Sequence, residues 1–180
     1  QPVTREDGKN ARLHQSLGAA YDALGDDPQA FQAFKTAFSL NPKDEISARN
    51  AISAGIAAAR RASGNQKDRY YTEAGRIAER LATDDPSFDH QLLAGEAWLG
   101  AKEYAKALQW FDRAQSKQPQ NALVHFYRAQ CLTSLDRMDP ALAELQEALK
   151  TGAPSGKLRQ QIYNQGGYIF DKKKQYAKAV

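Results

Sequence analysis

Cysteine occurs once in these 180 residues, at Cys131. One cysteine excludes an internal disulfide and any zinc site built on cysteines, and it does not separate an oxidising compartment from a reducing one. Valine and isoleucine are sparse, while alanine supplies much of the 42% hydrophobic content. That balance favours helices over sheets, because alanine gives up no side-chain entropy on entering a helix and β-branched residues do. No apolar run approaches the roughly 20 residues of a membrane span, and nothing reads as a signal peptide. An excess of one charge is lacking too: 25 Lys and Arg stand against 21 Asp and Glu, a net +4. Apart from Arg60-Arg61 and Lys172-Lys173-Lys174 the basic residues are scattered. Nucleic-acid binding would gather them into a stripe with aromatics alongside, so the sequence disfavours that function. Cytoplasm and periplasm both remain open.

What is present is internal repetition. Pro42, Pro86, Pro119 and Pro154 punctuate the chain at nearly regular intervals, with pairs of amphipathic helical patterns between them. The cleanest unit, residues 11–44, reads Leu17-Gly18, Tyr21, Gly25, Ala30, Phe34, Ala37 and Pro42. A third unit from Phe88 carries Ala94-Gly95, Trp98, Tyr104, Ala107, Phe111, Ala114 and Pro119. A fourth from Ala122 carries Arg128-Ala129, Leu132, Leu135, Ala141, Leu145 and Ala148. In the fifth, Gly166-Gly167 and Phe170 precede Tyr176-Ala-Lys-Ala179, a copy of Tyr104-Ala-Lys-Ala107.

These residues resemble the tetratricopeptide repeat, a helix–turn–helix of 34 residues, although the family's usual early Trp is His14 here. The resemblance implies an all-α, right-handed α-solenoid of stacked hairpins. The units fall at about 11–44, 45–87, 88–121, 122–157 and an incomplete 158–180, after a polar entry segment over 1–10. The second unit is long and irregular. Its first helix spans about 45–62, a loop spans 63–68, and a second helix carries Ala74, Ala78 and Leu81. Gly18, Gly95 and Gly167 are expected to let paired helices approach closely, and Ala30, Ala74, Ala107 and Ala141 to do so from the second helix. Leu17, Tyr21, Trp98, Phe34 and Phe111 are expected to fill the space between hairpins. Asp27-Pro28 and Asp139-Pro140 read as N-cap and first-turn pairs. Because the pattern stops partway through the second helix of the fifth unit, the one that carries Tyr176, the native chain is expected to continue past Val180, or a partner to cover that end.

Catalysis finds no support. His14 and His125 sit where the repeat places a large packing residue, and His90 just after a turn. Cys131 and His125, six apart, fall on different faces of one helix. Acid pairs such as Asp26-Asp27 and Asp84-Asp85 precede helix starts, where they complement the dipole. No phosphate loop, HExxH or GxSxG pattern is present. The reading assigns no catalytic residue, no metal ligand and no cofactor.

The resemblance implies that first helices line a concave groove where partners lie. Helical geometry then selects the residues opposite the hairpin partner. These are Arg12 and Gln15 in the first unit; Leu92, Leu93 and Glu96 in the third; Leu123, Phe126, Tyr127 and Gln130 in the fourth; and Asn164 and Tyr168 in the fifth. The central part is apolar within a polar rim, which suits a protein or peptide segment with apolar side chains. Packing of the same residues between neighbouring helices is the competing reading. The expected function is a non-catalytic protein-interaction scaffold in a larger assembly. The alternatives are a structural spacer or oligomerisation module, or a docking surface for an anionic polymer or nucleic acid.

Overall fold

A computed structural model describes residues 5–151 and 155–179, with side chains over 9–151 and 155–174. The proline at 154 and the last residue, Val180, lie outside the described residues. Within them the elements are all helices: α1 (Arg5–Ala23), α2 (Asp27–Leu40), α3 (Glu45–Arg61), α4 (Gly64–Asp84), α5 (Phe88–Gly100), α6 (Tyr104–Lys117), α7 (Ala122–Ser134), α8 (Met138–Lys150) and α9 (Gly156–Ala179). The all-α class and the helix–turn–helix organisation are therefore as expected. The chain divides into two compact units, Gln1–Pro86 with Gly100–Lys102, and Ser87–Leu99 with Glu103–Val180.

In the first unit each helix packs on the next in sequence order, from α1 to α4. Gly18 is the point of closest approach between α1 and α2, since a Cβ there would lie 2.7 Å from the Phe34 ring. Gly55 plays the same part in α3, where a Cβ would stand 2.9 Å from the Phe31 ring and 3.1 Å from the Ala74 methyl. Ala30, Ala37, Ala48, Ala51, Ile52, Ala74 and Ala78 are buried between these helices. Leu17 departs from expectation: it is 41% exposed. Among the described residues α1 packs against α2, so the face carrying Leu13 and Leu17 stays in solvent.

The second unit repeats the device. A Cβ on Gly95 would lie 2.4 Å from the Phe111 ring, and Phe111, Trp98, Ala107 and Ala114 are buried. Between α7 and α8 the small residue is Ala129 and the large one Leu145, both buried. α9 lies on α8 and α7 through Leu158, Ile162 and Ile169.

The turns show the repeat in the backbone as well. Gly25, Lys102 and Asp136 have φ of 73°, 62° and 57°. Each stands seven residues after Gly18, Gly95 and Ala129 respectively. A left-handed residue there reverses the chain in the least space, at no cost for glycine and at a cost for Lys102 and Asp136.

Four local expectations are corrected. The polar run 63–68 is not a loop: only Ala62 and Ser63 connect the helices, and α4 starts at Gly64. Those polar side chains form the solvated side of a helical turn, with Thr72 donating from its hydroxyl to the Asp68 carbonyl at 2.8 Å. The N-cap of α2 is Asp26, which accepts from the Gln29 amide at 3.2 Å, while Asp27 is buried in the first turn with Arg61 2.7 Å away. Asp139 likewise lies inside α8, whose cap position is Arg137. The fifth unit has no turn before Tyr176: α9 runs unbroken for 24 residues. Its 171–175 stretch contains neither Pro nor Gly to stop it, and Gly167 packs against nothing among the described residues.

Among the described residues no helix is long and apolar enough to cross a membrane.

Candidate partner-binding surface

The candidate residues of the second unit stand on α5, α7 and α9. On α7, an Asn121 cap starts the helix by accepting from the amides of Leu123 and Val124 at 3.1 and 3.3 Å. Residues Leu123, Tyr127 and Gln130 then recur at spacings of four and three, so they share a face. All three are half-buried. Tyr127 stacks on Phe111 with ring centroids 5.2 Å apart and planes at 22°, and meets Phe126 at 5.9 Å and 42°. Its ring is thereby held in place, so that any further contact at this half-buried position comes at little entropic cost.

A charged network sets the rotation of α7. Arg128 donates from Nη1 to Glu144 Oε1 of α8 at 2.6 Å and from Nε to Asp112 Oδ1 of α6 at 2.9 Å. His125, buried one turn earlier, places Nδ1 2.7 Å from Glu144 Oε2 and Nε2 2.9 Å from the Pro119 carbonyl oxygen. These contacts hold the opposite side of α7 against α6 and α8. A further link joins α7 to α9, where the Gln165 amide donates to Thr133 Oγ1 at 2.9 Å.

The residues singled out from sequence divide into three groups. Leu92, Leu93 and Glu96 on α5, with Leu123, Tyr127 and Gln130 on α7, are half-buried; Asn164 and Tyr168 on α9 are exposed. Phe126 is corrected: it is 4% exposed and belongs to the core formed with Ala129, Leu132, Leu145 and Ile162. One residue before Tyr127, it is turned about 100° around the helix axis, which carries it from the open stripe into the packed side. Arg12, exposed, and Gln15, half-buried, stand on α1 in the other unit.

Sequence reasoning missed the Arg128–Glu144–His125 network, because charge pairing between helices has no periodicity to reveal it. It also missed a comparable centre in the first unit. There Glu73 accepts from Lys35 at 2.6 Å and from Arg69 at 2.9 Å, beside an edge-to-face contact of Phe31 and Tyr70. Burial pushes the Glu73 carboxyl up, but the hydrogen bonds from Lys35 and Arg69 outweigh it and hold the group below its ordinary value. Cys131 is fully buried, and burial pushes its thiol up to about 12, which leaves no nucleophile there.

Comparison with known proteins gives the same architecture. Residues 11–44 match the tetratricopeptide repeat model, and residues 67–148 match the model described as anaphase-promoting complex, cyclosome, subunit 3. No curated protein matches the chain in sequence. Among solved structures, a MamA RS-1 ArsTM double mutant aligns with a TM-score of 0.69 at 17% identity, over 96% of this chain and 89% of that one. MamA 41-end from Desulfovibrio magneticus RS-1 aligns with a TM-score of 0.63 at 16% identity, over 96% and 97%. TTC0263, a thermophilic TPR protein in Thermus thermophilus, aligns with a TM-score of 0.55 at 20% identity, over 86% and 98%. At such identities the likeness is one of fold.

Proposed function

Taking as premise that the chain belongs to the tetratricopeptide-repeat family, we propose that its second unit binds a segment of another protein across the first-helix face of α5, α7 and α9. The coarse part of this reading, a role in protein interaction, follows from the family. The finer part rests on one observation: Tyr127 is held between Phe111 and Phe126, yet is only half-buried, one helical turn after the half-buried Leu123. Leu92, Leu93 and Leu123 add apolar area at half burial, and Gln130, Asn164 and Tyr168 add hydrogen-bonding groups around it. Apolar anchors ringed by polar side chains suit an extended or helical peptide with apolar side chains. Arg12 and Gln15 offer polar contacts on the first unit's own first helix.

The test compares partner capture by the wild type and a Leu93→Glu/Tyr168→Ala variant. Tyr168 is exposed, so its truncation spares the core, whereas Tyr127→Ala would also strip a ring from Phe111. With helicity matched by circular dichroism, a partner held by the wild type and lost by the variant supports the reading. Equal retention by both moves the site off this face.

A further inference from the structure

Three stripes run along α9. Leu158, Ile162 and Ile169 are buried on α7 and α8, and Asn164 and Tyr168 belong to the groove just described. The third stripe, Tyr163, Gly167, Phe170 and Lys174, recurs at spacings of four, three and four, the rhythm of a helix-pairing seam. It points away from the buried stripe, with Tyr163 62% and Phe170 63% exposed.

The seam has two occupied counterparts in the same chain. Gly18 and Gly95 each receive a phenylalanine ring, Phe34 or Phe111, from an antiparallel helix. In both cases the glycine precedes an aromatic by three residues, Tyr21 or Trp98, as Gly167 precedes Phe170. A Cβ built on Gly18 or Gly95 collides with that ring, whereas one built on Gly167 meets nothing within 4 Å among the described residues. The position that accepts a large ring in two repeats is open in the third.

We infer that this seam is a docking site for an acidic amphipathic helix of another protein, which seats a phenylalanine-sized side chain on Gly167 between Tyr163 and Phe170. The charge selects the occupant. On the seam's side of α9 stand Arg159 and Lys174, four residues before Tyr163 and four after Phe170, and among the described residues neither is tied to a carboxylate of its own chain. Lys172 lies on the far side, its Nζ over the Tyr168 ring. A second copy of the same helix would meet this basic surface with like charge, and an acidic helix with opposite charge. Glycine at the centre of the seam permits close approach of two backbones, and the flanking rings supply apolar area.

The probe is a helix-stapled, fluorescent peptide of residues 26–40, the natural occupant of the Gly18 site, carrying Gln29→Glu, Gln32→Glu and Lys35→Glu. Fluorescence anisotropy should show saturable binding to the wild-type chain. Gly167→Leu, which fills open space and leaves the fold intact, should weaken it by at least about tenfold, and a probe with Phe34→Ala should bind correspondingly worse. Lys174→Glu should weaken it severalfold at low salt and less at high salt. No saturable binding, or equal affinity for Gly167→Leu and the wild type, would overturn the inference. Loss in Leu93→Glu/Tyr168→Ala with retention in Gly167→Leu would also overturn it, by placing the peptide in the groove.

Discussion

At Gly95 a methyl group would sit 2.4 Å from the Phe111 ring and at Gly18 2.7 Å from Phe34, while at Gly167 it would touch nothing among the described residues. Three glycines that read alike in sequence therefore respond oppositely to one substitution. Gly95→Ala forces a buried ring to move and should cost about 1–3 kcal/mol by urea denaturation. Gly167→Ala removes backbone freedom from the unfolded chain inside a helix and should stabilise by about 0.5–1 kcal/mol. Lys102 holds its left-handed turn under strain, so Lys102→Gly should raise the denaturation midpoint, by up to about 1 kcal/mol of stability. Cys131, buried and with its thiol pushed up to about 12, should react with a thiol reagent only as fast as the unit opens. At this scale the alanine and phenylalanine positions of the repeat were legible, because helix contact demands one size of residue at one spacing. The exposure of Leu17 was not, since it depends on what stands beside the helix rather than on the helix itself. The burial of Phe126 was likewise a matter of a single residue's rotation on α7.

Between Gly55 and Ala74 lie seven more residues than between Gly18 and Ala30 or Gly95 and Ala107. Seven residues make about two helical turns, so the insertion lengthens the hairpin without rotating its inward faces out of contact. That explains why Ala74 and Ala78 remain fully buried although the sequence of the second repeat looks irregular. Composition marked the polar run 63–68 as a loop, whereas the structure uses it to start α4. In α9 the copied tetrad at Tyr176 suggested a second helix, but nothing in 171–175 breaks the first one. Element boundaries thus depended on the absence of breakers more than on repeat register. Two further outcomes belong to helix pairs. Glu144→Ala would leave Arg128 and His125 without their shared carboxylate on α8 and should cost about 3 kcal/mol. Glu73, held below its ordinary value of 4.5, adds stability that is complete above that value and is lost as pH falls through the lowered one. Between about pH 6 and about pH 3 the wild type should lose more stability than Glu73→Gln, as read by denaturation midpoints at each pH.

Within each unit small residues on one helix face large side chains on a neighbour, and the core grows by repetition. The fold class could be read from sequence because this rule leaves a periodic trace. The partner surface was legible only in part, since a residue that lines a groove and one that packs between helices obey the same spacing. Structure places Phe126 in the core, packs Leu123 and Tyr127 against that core at half burial, and leaves Tyr168 exposed. The proposed function rests on the side chains of that face rather than on the repeat. The most direct measurement is photo-crosslinking of the captured partner, with a benzoylphenylalanine placed in turn at Tyr168, at Gln130 and at the exposed Ala143 on α8. The account predicts adducts from positions 168 and 130 and none from 143. Adducts from 143 with none from the other two would contradict it.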